Sequence, residues 1–119
     1  MTQTTTQATT ATTATAREIE AHEFDAAVNP DRVTLVDFSA TWCGPCRRLE
    51  PILGELAGAL PEVDFLKLDV DSSQEIAMRY GVQAVPTMLV LRSGQVVDRF
   101  VGLRSKSELA ERLRQHSAG

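Results

Sequence analysis

The chain has 119 residues, 43% of them hydrophobic, and its 12 Lys and Arg against 16 Asp and Glu give a formal net charge of −4 at pH 7. This length suffices for one domain with its own hydrophobic core. The acidic balance argues against a protein that neutralises nucleic-acid phosphates. No run approaches the roughly 18 consecutive apolar residues that a membrane span requires. We therefore expect neither a nucleic-acid nor a membrane partner.

The first sixteen residues, MTQTTTQATTATTATA, contain nine threonines and no charged side chain. Because they offer no large apolar anchor and no periodic pattern, they cannot offset the conformational entropy lost on ordering. We predict a disordered tail over residues 1–16 and a folded domain over residues 17–119. The alternation of Thr15, Arg17 and Ile19 would let the end of the tail join a sheet edge. The tail lacks the positive start and apolar core of a signal peptide, so we expect a cytoplasmic protein.

Hydrophobic periodicity predicts alternating strands and helices after the tail. After a short first strand, we expect helices over residues 23–28, 43–60, 72–80 and from 105 onward, and strands over 32–40, 63–70, 87–92 and 95–101. The Ser-Gly pair between the last two strands is typical of a two-residue hairpin turn. Ser72 and Glu75 have the spacing of a helix capping box. Ser105 and Glu108 repeat it at the last helix. The order β-α-β-α-β-α-β-β-α predicts an α/β fold with a mixed sheet between helices.

Both cysteines lie in the motif Cys43-Gly44-Pro45-Cys46, at the predicted start of the second helix. A helix N-terminus has unpaired N–H groups and the positive end of the helix dipole, and both favour a thiolate over a thiol. Gly44 permits a tight entry into the helix, and Pro45 falls in the first turn, where its missing N–H costs nothing. Residues three apart on a helical turn are neighbours, so the two sulfurs can close a disulfide. The motif predicts redox chemistry.

The position of the motif assigns different roles to the two sulfurs. Cys43, at the helix mouth, should be the exposed nucleophile with the lower pKa. Cys46, one turn deeper, should be shielded and should resolve a mixed disulfide. Pro51 lies inside the predicted helix, where it removes one backbone hydrogen bond and should kink the helix.

Two other interpretations of the cysteine pair compete with redox chemistry. A structural zinc site takes four ligands, but the chain has no second cysteine pair, and His22 and His116 lack ligand spacing. An inert pair of buried thiols is compatible with the spacing alone. The helix-start context disfavours that interpretation.

Asp37 lies within LVDFS, a run apolar enough for a strand that is covered on both faces. An unpaired carboxylate is costly there, so the pKa of Asp37 should be raised, and it would serve as a base for the resolving thiol. An aspartate facing outward from a less buried strand is the alternative. Lys67, on the neighbouring strand, is a candidate charge partner or a lysine whose amine reaches water. Pro86 begins a strand, and the low frequency of cis X-Pro bonds alone favours trans there.

Five features resemble the thioredoxin family, in order and at family-like spacing across residues 17–116. They are LVDFSATWCGPC, the proline at position 51, KLDVD, YGVQAVPT and SGQVVDRFVG. The Trp-Cys-Gly-Pro-Cys block is a highly specific signature. The resemblance implies a thioredoxin fold, with a mixed central sheet of four to five strands flanked by about four helices. It also implies that the last two strands run antiparallel to the inner parallel pair.

The resemblance further implies a set of site residues. Pro86 would be cis and lie against Cys43, and the backbone of Val85 would pair with an extended substrate segment. Asp37 would be the buried proton acceptor, with Lys67 beside it. The implied apolar contact surface around the dithiol comprises Trp42, Gly44, Pro45, Ala84, Val85, Pro86, Gly102 and Leu103.

The function implied by the resemblance is reduction of disulfides in partner proteins, which maintains the redox state of the cell. We expect a monomer with no bound cofactor, because electrons would come from NADPH through a separate flavoprotein, a thioredoxin reductase. One residue departs from the pattern: Ser39 stands where the family often has a tryptophan. The small hydroxyl there should leave space, or admit water, near the site.

Two further functions are compatible with the resemblance. Some thioredoxin-like proteins act as binding modules through the apolar face around the dithiol, with redox turnover incidental. A disulfide oxidant is the other, and the lack of a visible export signal disfavours it.

Overall fold

The computed structural model of the chain describes residues 16–118. The predicted tail, except for Ala16, and residue 119 lie outside the described residues. Within them the chain forms five strands and four α-helices, in the predicted order. They are β1 (Arg17–Glu18), α1 (Phe24–Ala27, after a 3₁₀ turn at Ala21–Glu23), β2 (Val33–Ser39), α2 (Gly44–Ala59), β3 (Val63–Asp69), α3 (Gln74–Arg79), β4 (Thr87–Arg92), β5 (Gln95–Val101) and α4 (Lys106–Ala118).

The five strands form one mixed sheet in the order β1-β3-β2-β4-β5. β2 lies parallel to β3 and antiparallel to β4, and β5 pairs antiparallel with β4. The turn between β4 and β5 is the predicted Ser93-Gly94 pair, with φ angles of 56° and 78°, as a type I′ hairpin turn requires. The expectation that both final strands oppose the inner pair is wrong. A hairpin reverses the chain, so β5 runs in the same direction as β2 and only β4 opposes it.

The start of the described chain reaches a sheet edge. β1 pairs parallel with β3, Arg17 opposite Leu66 and Glu18 opposite Lys67. The N–H of Ile19 donates to the carbonyl of Lys67 at 3.0 Å. Thr15, the first residue of the predicted alternation, lies outside the described residues.

Of the two predicted capping boxes, the one at α3 does not form and the one at α4 forms in part. The N-cap of α3 is Ser73, whose side chain makes no capping hydrogen bond, and not the predicted Ser72. At α4 the hydroxyl of Ser105 accepts a hydrogen bond from the N–H of Glu108 at 3.2 Å. The carboxylate of Glu108 does not return to the cap, because it accepts from Arg104 at 2.9 Å.

We expect Ser105→Ala to lower the free energy of unfolding by about 1 kcal/mol, because a helix N–H loses its capping acceptor. Denaturant unfolding at fixed pH measures the change. Ser107→Ala, which leaves the capping hydroxyl in place, is the control. Equal losses in the two variants would contradict the assigned cap.

The sheet separates two apolar clusters. On one face the β2 residues Val33 and Leu35 pack against α2 and α4, and on the other Val36 and Phe38 pack against α1 and α3. Side chains alternate between the faces of a strand, so Asp37 and Ser39 project to the same face as Leu35, toward α2. The face of α2 that packs on the sheet has four buried side chains, Cys46, Leu49, Leu53 and Leu56.

Pro51 lies inside α2, where its ring has no N–H for the helix ladder. The kink expected from it stays a prediction. Among the described residues, no helix combines the length and the apolarity that crossing a membrane would need.

Candidate active site

Cys43 and Cys46 form a disulfide at the N-terminus of α2, with 5.3 Å between their Cα atoms. Cys43 is the N-cap residue of this helix, and Pro45 lies in its first turn. The Sγ atom of Cys43 accepts a hydrogen bond from the N–H of Cys46 at 3.2 Å. A backbone donor of the first turn therefore points at the sulfur of Cys43. In the reduced protein, this donor and the helix dipole favour a thiolate at that position.

The exposure of the two cysteines differs in the predicted order but not in the predicted amount. Cys43 is 4% exposed and Cys46 is 1% exposed, so the prediction of an exposed Cys43 is wrong for this disulfide form. The sulfur of Cys43 is covered because it bonds to Cys46 and lies 3.8 Å from the carbonyl oxygen of Val85. Ala40 and Val70 complete the small apolar cluster around the disulfide.

The loop before β4 approaches the disulfide through the carbonyl of Val85, the residue that precedes Pro86. The Val85–Pro86 peptide bond is cis, as the family resemblance implies and contrary to the expectation from frequency alone. The carbonyl of Pro86 accepts a hydrogen bond from the N–H of Gly102 at 2.8 Å. The hydroxyl of Thr87 donates to the carbonyl of Ala84 at 2.6 Å. The first bond joins the Ala84–Pro86 loop to the end of β5, where Gly102 and the exposed Leu103 follow, and the second closes the loop onto the start of β4.

An apolar groove borders the disulfide. It has a volume of about 200 Å³ and is lined by Trp42, Val70, Val82, Gln83, Ala84 and Val85. Trp42 is 66% exposed, and its indole N–H donates to the carboxylate of Asp71 at 2.9 Å. Sequence reasoning predicted Trp42, Ala84 and Val85 here but missed the others. The only signal for Val70, Asp71 and Val82 was their place in the family-like segments.

Asp37 is fully buried, and neither oxygen of its carboxyl has a hydrogen-bond partner among the described residues. The outward-facing alternative is therefore wrong. Burial raises the pKa of this carboxyl from 3.8 to about 7; the positive charge of Lys67 opposes the rise, and the negative charge of Glu50 adds to it. A carboxyl with a pKa near neutrality can both accept and release a proton at physiological pH.

Lys67 lies opposite Asp37 in the pairing of β2 with β3, but its ammonium group binds elsewhere. The Nζ atom of Lys67 is 2.6 Å from Oε2 of Glu50 on α2. Lys67 therefore acts on Asp37 as a nearby charge and not as a bonded partner. Sequence reasoning missed Glu50, because its position one turn after Cys46 carries no chemical signature.

The space expected beside Ser39 is present. A cavity of about 230 Å³ is lined by Ser39 together with Glu18, Ala40, Thr41, Arg47, Glu50, Lys67 and Asp69. A second cavity of about 160 Å³ reaches Asp37 and shares Glu18, Glu50 and Lys67 with the first. Asp37 therefore lines an open space whose other walls combine the charged Glu18, Glu50 and Lys67 with the apolar Ala16 and Leu53.

Two sulfurs that open and close a disulfide exchange a pair of electrons with other thiols. A fold that holds them at a helix start, beside a cis-proline loop, defines a thiol–disulfide oxidoreductase. The thioredoxin family model matches residues 15–115 of the chain. The protein belongs to the thioredoxin family.

Individual relatives agree with this assignment. A thioredoxin from Staphylococcus aureus is 47% identical over 95 residues, which cover 79% of this chain and 90% of the relative. The structure of Fasciola hepatica thioredoxin matches with a TM-score of 0.79 and 39% identity, covering 85% of this chain and 99% of that one. A third structure, described as the "structural basis of the thiol resolving mechanism in yeast mitochondrial 1-Cys peroxiredoxin via glutathione/thioredoxin systems", matches with a TM-score of 0.75 and 32% identity, covering 84% and 94%.

Proposed function

We propose that the protein is a cytoplasmic, monomeric reductase of disulfides in partner proteins, returned to its dithiol form by an NADPH-dependent flavoprotein, a thioredoxin reductase. The observation that carries the proposal is the disulfide at the N-terminus of α2. Its Cys43 sulfur receives a backbone N–H, and an apolar groove lies beside it. The yeast structure described above, which concerns a peroxiredoxin and the thioredoxin system, supports disulfide-containing proteins as the substrate class.

The reaction proceeds by two exchanges. The thiolate of Cys43 attacks one sulfur of the substrate disulfide, forms a mixed disulfide and releases the other substrate sulfur as a thiolate. The thiolate of Cys46 then attacks the Cys43 sulfur and releases the second substrate sulfur. Two electrons have moved to the substrate, and Cys43 and Cys46 are left as a disulfide.

Asp37 is the proton acceptor for Cys46 in this scheme. Its carboxyl projects toward α2, the helix that carries Cys46, and its pKa of about 7 suits proton transfer. Lys67 tunes this carboxyl through its charge. The reductase itself supplies the electrons, so the chain needs no cofactor of its own.

An extended segment of the substrate binds across the loop that carries the cis-proline. The backbone of Val85 pairs with this segment. Its carbonyl lies 3.8 Å from the Cys43 sulfur, beside the atom that the substrate disulfide must reach. The surrounding surface supplies apolar contact to the substrate. It comprises Trp42, Gly44, Pro45, Ala84, Val85, Pro86, Gly102 and Leu103.

A coupled assay tests the proposal. With insulin as the substrate, a purified thioredoxin reductase should oxidise NADPH only when this protein is also present, and the rate should rise with its concentration. If the protein reduced insulin with dithiothreitol as the electron source but not with the thioredoxin reductase, the proposed recycling would be wrong. The proposed reduction of substrate disulfides would stand. Failure with both reductants would remove the activity itself.

A further inference from the structure

We propose that Glu50 is a positioning residue whose carboxylate holds the ammonium group of Lys67 away from Asp37 and so keeps the Asp37 carboxyl without an ionic partner. The functional meaning of this arrangement rests on the proposed role of Asp37 as the proton acceptor. Glu50 itself does not line the groove described for substrate.

The arrangement of the three side chains carries the first step of the argument. Asp37 and Lys67 are paired across neighbouring parallel strands, so their Cα atoms lie about 5 Å apart, well within the reach of a lysine side chain. Yet within residues 16–118 neither oxygen of Asp37 has a hydrogen-bond partner. The ammonium group is 2.6 Å from Glu50, a mostly buried lysine side chain (22% exposed) meeting a half-exposed glutamate (49%). This distance is that of a charge-assisted hydrogen bond.

The space around these side chains carries the second step. The cavity of about 160 Å³ that Asp37, Glu50 and Lys67 line together exceeds the room that one water molecule needs. Lys67 therefore borders open space, and packing does not confine its side chain to the position beside Glu50. The lysine has the carboxylates of Asp37, Glu18 and Glu50 within reach. It binds that of Glu50, whose ionised form is partly solvated and costs less to maintain than a buried one.

The charges that face Asp37 come from three elements. They are Glu18 on β1, Glu50 on α2 and Lys67 on β3, while β4 places the uncharged Met88 opposite Asp37. In the oxidised protein the cysteines are joined and do not titrate. Loss of the Glu50 charge removes a repulsion from the Asp37 carboxylate and releases the Lys67 ammonium to approach it. Both effects favour the ionised form of Asp37, so both lower its pKa.

The test is an NMR titration of the carboxyl carbon of Asp37 in the disulfide form. We expect Glu50→Gln to lower the pKa of Asp37 by at least about 0.5 pH unit, roughly threefold in proton affinity. Glu55→Gln is the matched control, because Glu55 lies on the same helix and binds Lys106 at 2.9 Å in an exposed pair. An unchanged or raised pKa in Glu50→Gln, or an equal fall in Glu55→Gln, would overturn the proposal.

A double-mutant comparison separates positioning of the lysine from the direct effect of the glutamate charge. In a Lys67→Met background there is no ammonium to release, so Glu50→Gln should shift the pKa of Asp37 by clearly less than in the wild-type background. An equal shift in the two backgrounds would reduce Glu50 to a simple repelling charge and overturn its positioning role. Backbone NMR spectra of each variant verify that the fold is kept.

The titration is independent of the proposed catalytic role of Asp37. The rate at which Asp37→Asn resolves a mixed disulfide tests that role directly. An unchanged resolution rate, together with the expected titration of Glu50→Gln, would remove Asp37 as the proton acceptor and leave Glu50 as the residue that positions Lys67.

Discussion

Cys43→Ser should reduce insulin no faster than a solution without the protein. A serine hydroxyl does not ionise near neutral pH and cannot form a disulfide, so the first exchange has no nucleophile. The substitution is nearly isosteric at a site that is 4% exposed, and near-ultraviolet circular dichroism should show an intact fold. The measurement is dithiothreitol-driven precipitation of insulin at equal concentrations of variant and wild-type protein.

Cys46→Ser should fail in a different way. It keeps the nucleophile but loses the thiol that resolves the mixed disulfide, so a covalent one-to-one adduct with the substrate should accumulate on non-reducing gels. Adducts with Cys43→Ser instead of Cys46→Ser would reverse the two roles.

A variant with serine at both Cys43 and Cys46 tests the alternative function. If it kept full biological activity, the result would favour the binding-module function over electron transfer.

The sequence predicted the elements well because burial imposes a periodicity that is local in the chain. The helix expected over residues 43–60 is Gly44–Ala59, and the two hairpin strands have their predicted bounds. The predictions were wrong where the structure depends on three-dimensional geometry that the local sequence does not specify. The direction of β5 follows from the reversal at its turn. Whether Ser72 or Ser73 becomes the N-cap of α3 depends on where β3 ends and on the turn that follows it.

The same distinction between local sequence and long-range geometry applies to the site. The cysteine chemistry was predictable because a helix start, a glycine and a proline lie within four residues. The burial of Cys43 was not, because Val85 covers it from 42 residues further along the chain. The partner of Lys67 was missed for a similar reason, since Glu50 becomes its neighbour only when α2 packs on the sheet. The cis bond before Pro86 was predicted from the family resemblance and not from the residue pattern.

The buried carboxyl of Asp37 should make the disulfide form of the protein less stable as the pH rises. Its pKa is raised by burial to about 7, against the ordinary value of 3.8 in an unfolded chain. Below pH 3.8 both states hold the proton, and the carboxyl makes no difference. Between pH 3.8 and about pH 7 only the unfolded chain has lost this proton. Each pH unit in this range therefore lowers the free energy of unfolding by roughly 1.4 kcal/mol. Above about pH 7 both states are ionised, and the loss levels off at roughly 4 kcal/mol.

Asp37→Asn removes this titration and nearly keeps the shape of the side chain. The free energy of unfolding of the variant minus that of the wild type should therefore increase by roughly 4 kcal/mol between about pH 4 and pH 8. Guanidinium unfolding of both proteins across this range measures the difference, and the comparison cancels the titration of all other groups. A constant difference would contradict the burial of an unpaired carboxyl. A difference that grows in favour of the wild type would mean that the ionised carboxylate gains a partner such as Lys67. A more stable variant that resolves its mixed disulfide more slowly would show that the carboxyl is present for proton transfer, because it contributes nothing to the fold that asparagine does not.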